Sequence, residues 1–446
     1  MDYSVSSLLA RGEYMCACGK VHKAGLKEAC VEKNAVTKLG GYVKKYNGTK
    51  AYILADENTF AAAGEKVLAA LKNDGISFVS FVFSGAERIE PDENHVGSAF
   101  LHFDHSCDII IGIGSGVIND IGKIVAAMTK LPYIIVGTAP SMDGFASPTS
   151  SVIRDSLKVS VNSVCPDVVI GDTDILCKAP MIMIRAGLGD MLAKYISVCE
   201  WRIGKIVIGE YYCEEVAAII RAALKTCVDG ANGIVNRDEE AVKSVMEGLI
   251  ISGVAADYAG VSRPVSGVEH YFSHIWDMRA LEFGTPWSLH GIQCGIGTLY
   301  ALKGYEKLKT LTPDREKALS FAKAHDDGAW FARIREYIGS ASVAMAKDAE
   351  ASERYNREKH AERIKNIAAH WDDILKIIDE ELPSATSMKE LLDAIGAPCT
   401  ASDIGLPENE TGLTFRVTRD IRDKYILSSL AWDMGESDTI SGIYKV

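Results

Sequence analysis

Between residues 51 and 172 short apolar runs close on glycine, proline or aspartate: AYILAD (51–56), SFVSFVFSG (77–85), CDIIIGIGSG (107–116), PYIIVGTAP (132–140) and PDVVIGD (166–172). Stretches of helical period, such as EKVLAALKNDG, separate several of them. Strands that are apolar without alternation are buried on both faces, so this rhythm predicts a parallel sheet with helical crossovers. SSVIRDSLKVSV breaks the rhythm and reads as two strands turning at Asp155-Ser156. Beyond Ala179 the apolar residues recur every three or four positions, as in EEVAAIIRAALKTCV and EAVKSVMEGLIISGVAA, which is the period of helices. The expected architecture is an α/β domain over residues 1–178 followed by an all-α domain over 179–446. Residues 310–385 are rich in charge yet keep an apolar stripe, so helices there should be packed on one face and solvated on the other.

The run CDIIIGIGSGVINDIGKIVAAM adds chemistry to this frame. A strand leads into Gly112, Gly114 and Gly116, and a helix follows. Glycines after a strand let the backbone approach a pyrophosphate, and the unpaired amides of a helix start complement its charge. The natural reading is a phosphate cradle in a Rossmann-like sheet. The strict G-x-G-x-x-G spacing is not met, because Val117 stands at the third glycine position. Asp56 closes the strand AYILAD, where a carboxylate can hold a ribose hydroxyl or simply form a turn. Thr138, Ser141 and Asp143 lie where the strand PYIIVG ends, either facing a ligand or making an ordinary polar loop.

In the helical half, Asp190, His270, His274 and His290 form a dispersed set of donors. A carboxylate and two imidazoles suit a divalent metal that keeps open positions for substrate. His270 and His274 are one helical turn apart, and the loop at Gly284, Thr285 and Pro286 allows His290 to come back towards His270.

Composition narrows the function classes. A formal charge of −12 disfavours a nucleic-acid or anionic-membrane surface. No apolar run reaches bilayer-spanning length, and the first residues lack the apolar core of a signal peptide. Eleven cysteines at irregular spacing fit free thiols in a reducing cytoplasm. Cys16, Cys18, His22 and Cys30 stand close in sequence, but C-x-C lacks the usual spacing of zinc ligands, so thiols in an N-terminal strand and turn are expected instead.

At GIGSGVIND, TAPSMDGFASPTSS, GLGDMLAKY, EHYFSHIWDM and LHG the chain resembles the superfamily of metal-dependent alcohol dehydrogenases, glycerol dehydrogenases and dehydroquinate synthases. Within it the similarity is greatest to the sn-glycerol-1-phosphate dehydrogenases, and it runs from CACGKVH to RVTRDIRDKYILSSLAWDMG. The resemblance implies a dinucleotide fold, then a helical domain, with the active site in the cleft between them. It implies that Asp190, His270 and His290 bind one divalent metal (zinc, nickel or iron), and that His274, Asp143 and Asp190 meet substrate. It places NAD(H) or NADP(H) on Asp56, Gly114, Ser115, Gly116, Val117, Ile118, Asn119, Asp120, Thr138, Ala139, Pro140, Ser141 and Ser147. The implied reaction is reduction of dihydroxyacetone phosphate to sn-glycerol 1-phosphate by a cytoplasmic homodimer. A dehydrogenase of unphosphorylated polyols, a dehydroquinate-synthase-like lyase and a cofactor sensor without catalysis remain as alternatives. Arg185, Lys194 and Arg202 are the basic residues nearest in sequence to a proposed ligand.

Overall fold

The structure, a computed structural model, describes residues 2–85, 89–154 and 157–444. Ten strands occur in chain order among them: β1 (Tyr14–Met15), β2 (Val21–His22), β3 (Glu28–Glu32), β4 (Lys50–Asp56), β5 (Ser77–Phe83), β6 (Ile109–Gly114), β7 (Tyr133–Gly137), β8 (Thr149–Arg154), β9 (Leu157–Asn162) and β10 (Val168–Asp172). Six of them form one sheet in the order β3-β10-β7-β6-β4-β5, with every pairing parallel. The apolar runs predicted this. Ile53, Ile111, Ile113, Ile134, Val136 and Ile170 are fully buried because helices cover both faces of a sheet wound in this way.

β3 escapes the apolar-run pattern. Its sequence EACVE carries charge at both ends, which an edge strand paired only with β10 tolerates. β8 and β9 form the antiparallel pair read from the sequence, in register from Thr149 opposite Asn162 to Arg154 opposite Leu157. Asp155-Ser156, the predicted turn between them, lies outside the described residues.

From Thr173 onward the described elements are helical. The residues group by packing into two compact units, Met1–Met191 with Ala218–Ser262, and Leu192–Ala217 with Arg263–Val446. The change from strands to helices and the grouping by packing therefore describe different features of the chain. In the first unit the helix Glu239–Ala259 sends Met246 over Gly137 and Gly171 at the ends of β7 and β10. Gly187 in the helix Met181–Leu192 admits the Pro140 carbonyl so closely that a Cβ would sit 1.9 Å from its oxygen. The segment after β7 is thus clamped from above.

In the second unit the helix Val268–Phe283 ends at Gly284, whose φ of +66° is the left-handed conformation that closes helices. The chain returns as the helix His290–Leu308. Gly297 lets the two helices approach until a Cβ there would lie 2.6 Å from the Glu269 carbonyl oxygen. That closeness brings the histidines of the two helices together. The charged 310–385 region is helical as expected, with Ile364, Ile367, Ile374, Ile377 and Ile378 buried and the charged residues between them largely outside.

Candidate active site

The cradle is built at the end of β6, where Ser115 precedes the helix Gly116–Thr129. Serine is a favoured residue for capping helix amides. Here it does not cap: its hydroxyl donates to the Ala139 carbonyl at 3.2 Å and meets the Ser141 hydroxyl. The first backbone bond inside the turn is from the Asn119 amide to the Ser115 carbonyl, at 2.9 Å. By helix geometry the amides of Gly116, Val117 and Ile118 are therefore not engaged within the helix, and its positive end is left for an anion. The residues fit the pyrophosphate of a dinucleotide.

Thr138 and Ser141 flank this turn, with the Thr138 amide donating to the Gly114 carbonyl at 3.0 Å. Asn119 and Asp120 belong to the same helix, but their side chains serve the framework. Asn119 donates to the Gly144 carbonyl at 3.0 Å, and Asp120 pairs with buried Lys123 at 3.0 Å. Lys123 also donates to the carbonyls of Gly144, Ser147 and Thr149, so the loop carrying Ser147 is tied to the cradle helix. Burial lifts the Asp120 carboxyl above its ordinary range, with Lys123 opposing that rise. At the end of β4, Asp56 caps the helix Glu57–Asn73, accepting from the Thr59 amide at 2.9 Å while Thr59 reciprocates to the Asp56 amide.

Asp143 and Asp190 are brought together within the first unit. The Asp143 amide donates to Asp190 Oδ2 at 2.9 Å, and the Ser252 hydroxyl donates to Asp143 Oδ2 at 3.1 Å. Asp190 is fully buried, so its carboxylate has a fixed place.

In the second unit the rings of His270 and His290 stand 5.1 Å apart, and that of His274 lies 6.1 Å from His290. Their neighbours determine which nitrogen carries the proton. His270 Nδ1 lies 2.8 Å from Glu269 Oε1, a buried acceptor, so Nδ1 donates and Nε2 keeps its lone pair. The Ser273 hydroxyl spends its one proton on Gln293 Oε1 at 2.6 Å and must accept from His290 Nδ1 at 2.9 Å. His290 therefore also presents an unprotonated Nε2. Outer hydrogen bonds of this kind orient histidines that bind metals. The donor chemistry fits a divalent ion.

Sequence reasoning missed two parts of this cluster. Cys294 lies one turn beyond His290, its thiol 3.5 Å from His290 Nε2, and one donor atom from each of His270, His290 and Cys294 lies within 4.8 Å of the others. Burial alone would raise that thiol, but the two imidazoles bring it below its ordinary value. Glu269 was the other omission, although a carboxylate directly before His270 was visible in the sequence. Behind it, Glu200 accepts from the Val268 and Leu427 amides at 3.0 and 2.7 Å, and burial next to Glu269 pushes its carboxyl well above the usual range. Among the basic residues considered for phosphate, Arg202 is engaged by Glu380 and Glu381 at 2.8 and 2.6 Å, and Lys194 is buried against the Val265 carbonyl. Neither is available as a simple phosphate clamp.

The profile of iron-containing alcohol dehydrogenases matches residues 30–180. A glycerol-1-phosphate dehydrogenase of Halalkalibacterium halodurans, NAD(P)+-linked by its name, is 31% identical over 371 residues, covering 78% of this chain and 93% of that one. The chain belongs to the iron-containing alcohol dehydrogenase family. As a member it is a metal-dependent, NAD(P)-linked oxidoreductase. The glycerol-1-phosphate dehydrogenase of Methanosarcina acetivorans is 35% identical over 254 residues, or 56% of this chain and 68% of that one. Among solved structures, the glycerol dehydrogenase of Schizosaccharomyces pombe superposes with a TM-score of 0.63 at 18% identity, over 97% of this chain and 93% of that one. At that identity the likeness concerns the fold of this iron-containing alcohol dehydrogenase. Among its described residues no helix is long and apolar enough to cross a membrane.

Proposed function

We propose that this enzyme reduces dihydroxyacetone phosphate to sn-glycerol 1-phosphate with NADH or NADPH, reversibly, as a cytoplasmic homodimer. Residues 1–178 carry the dinucleotide in this reading, and residues 179–446 carry the metal and substrate. The observation that supports it most is the relative from Halalkalibacterium halodurans, matched over nearly its whole length. The site chemistry agrees with a carbonyl reduction: two imidazoles with Nε2 lone pairs, a buried carboxylate and a helix start suited to a pyrophosphate.

Asp190, His270 and His290 would hold one divalent ion, zinc, nickel or iron. Such an ion, when bound, supplies Lewis acidity that polarises the substrate carbonyl and stabilises negative charge on its oxygen. Glu269 and Ser273 fix the ring orientations and tautomers of the two histidines. The amides of Gly116, Val117 and Ile118 bind the cofactor pyrophosphate, with Thr138 and Ser141 beside it. Asp143 is held by Ser252 and orients substrate, and His274 delivers the proton that the product hydroxyl requires.

The test is kcat/KM for dihydroxyacetone phosphate against dihydroxyacetone, with the same metal and NADH, followed by stereochemical assignment of the product. Strong preference for the phosphate and formation of the 1-phosphate are expected. Comparable efficiencies would make it a polyol dehydrogenase, and a 3-phosphate product would overturn the substrate assignment.

A further inference from the structure

The N-terminal hairpin carries a second set of metal donors, remote in sequence from those above. β1 and β2 are two residues each, with Tyr14 opposite His22 and Met15 opposite Val21. Between them the Cys16 amide donates to the Lys20 carbonyl at 2.9 Å and the Gly19 amide to the Cys16 carbonyl at 3.0 Å. Gly19 turns the chain at φ +84°, a conformation that glycine adopts without strain. The tight turn folds Cys16, Cys18 and His22 onto one another, so that one donor atom of each lies within 4.8 Å of the others. The C-x-C spacing that argued against a site in the sequence is bridged by this turn. Cys30 lies apart, on β3.

We propose that Cys16, Cys18 and His22 are three of the ligands of a structural zinc ion. With Zn–S near 2.3 Å and Zn–N near 2.05 Å, a tetrahedral angle sets the sulfur-to-nitrogen edge at about 3.6 Å. Cys18 Sγ stands 3.5 Å from His22 Nε2. His22 Nδ1 lies 2.6 Å from the Tyr258 carbonyl, which only accepts, so the proton is on Nδ1 and the Nε2 lone pair faces the thiol. Tyr258 also stacks on the ring, at 5.6 Å and 21°, and Tyr14 meets its edge. The ring is fully buried and held in one pose. The Cys18 amide donates to Cys16 Sγ at 3.5 Å, which holds that sulfur within the turn.

Two thiolates and an imidazole select zinc over the hard cations. Energetics give the ion a purpose. Strands of two residues cannot hold a hairpin by their own ladder, and a metal cross-link supplies what the absent length does not. The ion would fix the hairpin against the helix Glu239–Ala259, to which His22 and Tyr258 already tie it.

Zinc analysis of the purified chain tests this, with the His270→Ala/Cys294→Ala variant removing two donors of the other cluster. After loading with zinc we expect about two zinc ions per wild-type chain and about one in that variant, falling to background when Cys16→Ser and Cys18→Ser are added. Zinc content unchanged by the two serine substitutions overturns the proposal. Should the serine variants not fold, cadmium-113 NMR of His270→Ala/Cys294→Ala decides: a resonance in the thiolate region supports the site, and one confined to the oxygen and nitrogen region overturns it.

Discussion

Glu269 Oε1 lies 2.8 Å from His270 Nδ1, where Glu269 is fully buried and His270 nearly so. A buried carboxylate on Nδ1 holds the ring in the tautomer whose Nε2 can bind a metal, and it makes that nitrogen more basic. Glu269→Gln keeps the shape and removes the charge. Metal affinity, measured by chelator competition, should fall by about 10- to 100-fold with the fold retained. An unchanged affinity would show that Glu269 has no influence on the imidazole.

The two histidines of the Val268–Phe283 helix should separate in their effects. His270→Ala is expected to lose metal and activity together, because it removes a proposed ligand. His274→Ala should keep its metal while kcat drops, if that ring has the proposed part in substrate binding and proton transfer. Metal content and single-turnover rates on both variants distinguish the roles, and metal loss in His274→Ala would exchange them.

Glu200 predicts a pH dependence of stability. Burial, then the neighbouring Glu269, push its carboxyl up to about 8. The folded chain therefore binds a proton that the unfolded chain releases near the ordinary carboxylate value. Stability contributed by this group is present at pH 4.5 and declines as pH rises towards 8. Glu200→Gln mimics the protonated form and should flatten the fall in Tm between pH 5 and 8. A parallel pair of profiles would remove Glu200 as the cause.

The sheet was legible in the sequence because a strand buried on both faces has no choice but to be apolar, as Ile109–Gly114 and Tyr133–Gly137 are. β3 was not, since an edge position permits EACVE. At the site, the glycines, Asp190 and the three histidines were legible as residue types, and His290 returns to His270 as the Gly284 turn suggested. What spacing hides is orientation. Ser115 looks like a helix cap and turns away from that task, while Asp56 looks like a ribose ligand and does cap a helix. Ligand spacing alone says little about Cys16 and Cys18, because the turn at Gly19 determines where their sulfurs go.

The Ser273 relay gives a subtler prediction than removal of a ligand. Ser273→Ala leaves His290 Nδ1 without its acceptor, so the imidazole is free to place its proton on either nitrogen. Metal should still bind, more weakly by about 10-fold or more. Gln293, which accepts from Ser273, should show the same direction of effect when changed to leucine. Weakening in neither variant would mean that the His290 tautomer is set without the relay.

Asp56 offers the cleanest separation of structure from cofactor choice. Its carboxylate closes β4, the position from which an acidic side chain in this type of fold reaches the adenosine ribose and repels a 2′-phosphate. It also caps the helix Glu57–Asn73 through a reciprocal pair of bonds with Thr59. Replacing it by alanine would remove cap and charge together, and a lost helix turn would confuse the reading. Serine is itself a good cap, so Asp56→Ser should cost only a few tenths of a kcal/mol, flagged by a Tm shift of roughly a degree or two. With the fold secured, the ratio of kcat/KM for NADPH to that for NADH reports the charge alone. That ratio should rise by about 10-fold, mostly through a lower KM for NADPH, if a 2′-phosphate meets Asp56. The carboxylate is screened by salt, so the gain should shrink as ionic strength increases. Equal use of both cofactors by the wild type, unchanged in Asp56→Ser, would leave Asp56 as a helix cap with no part in choosing the dinucleotide.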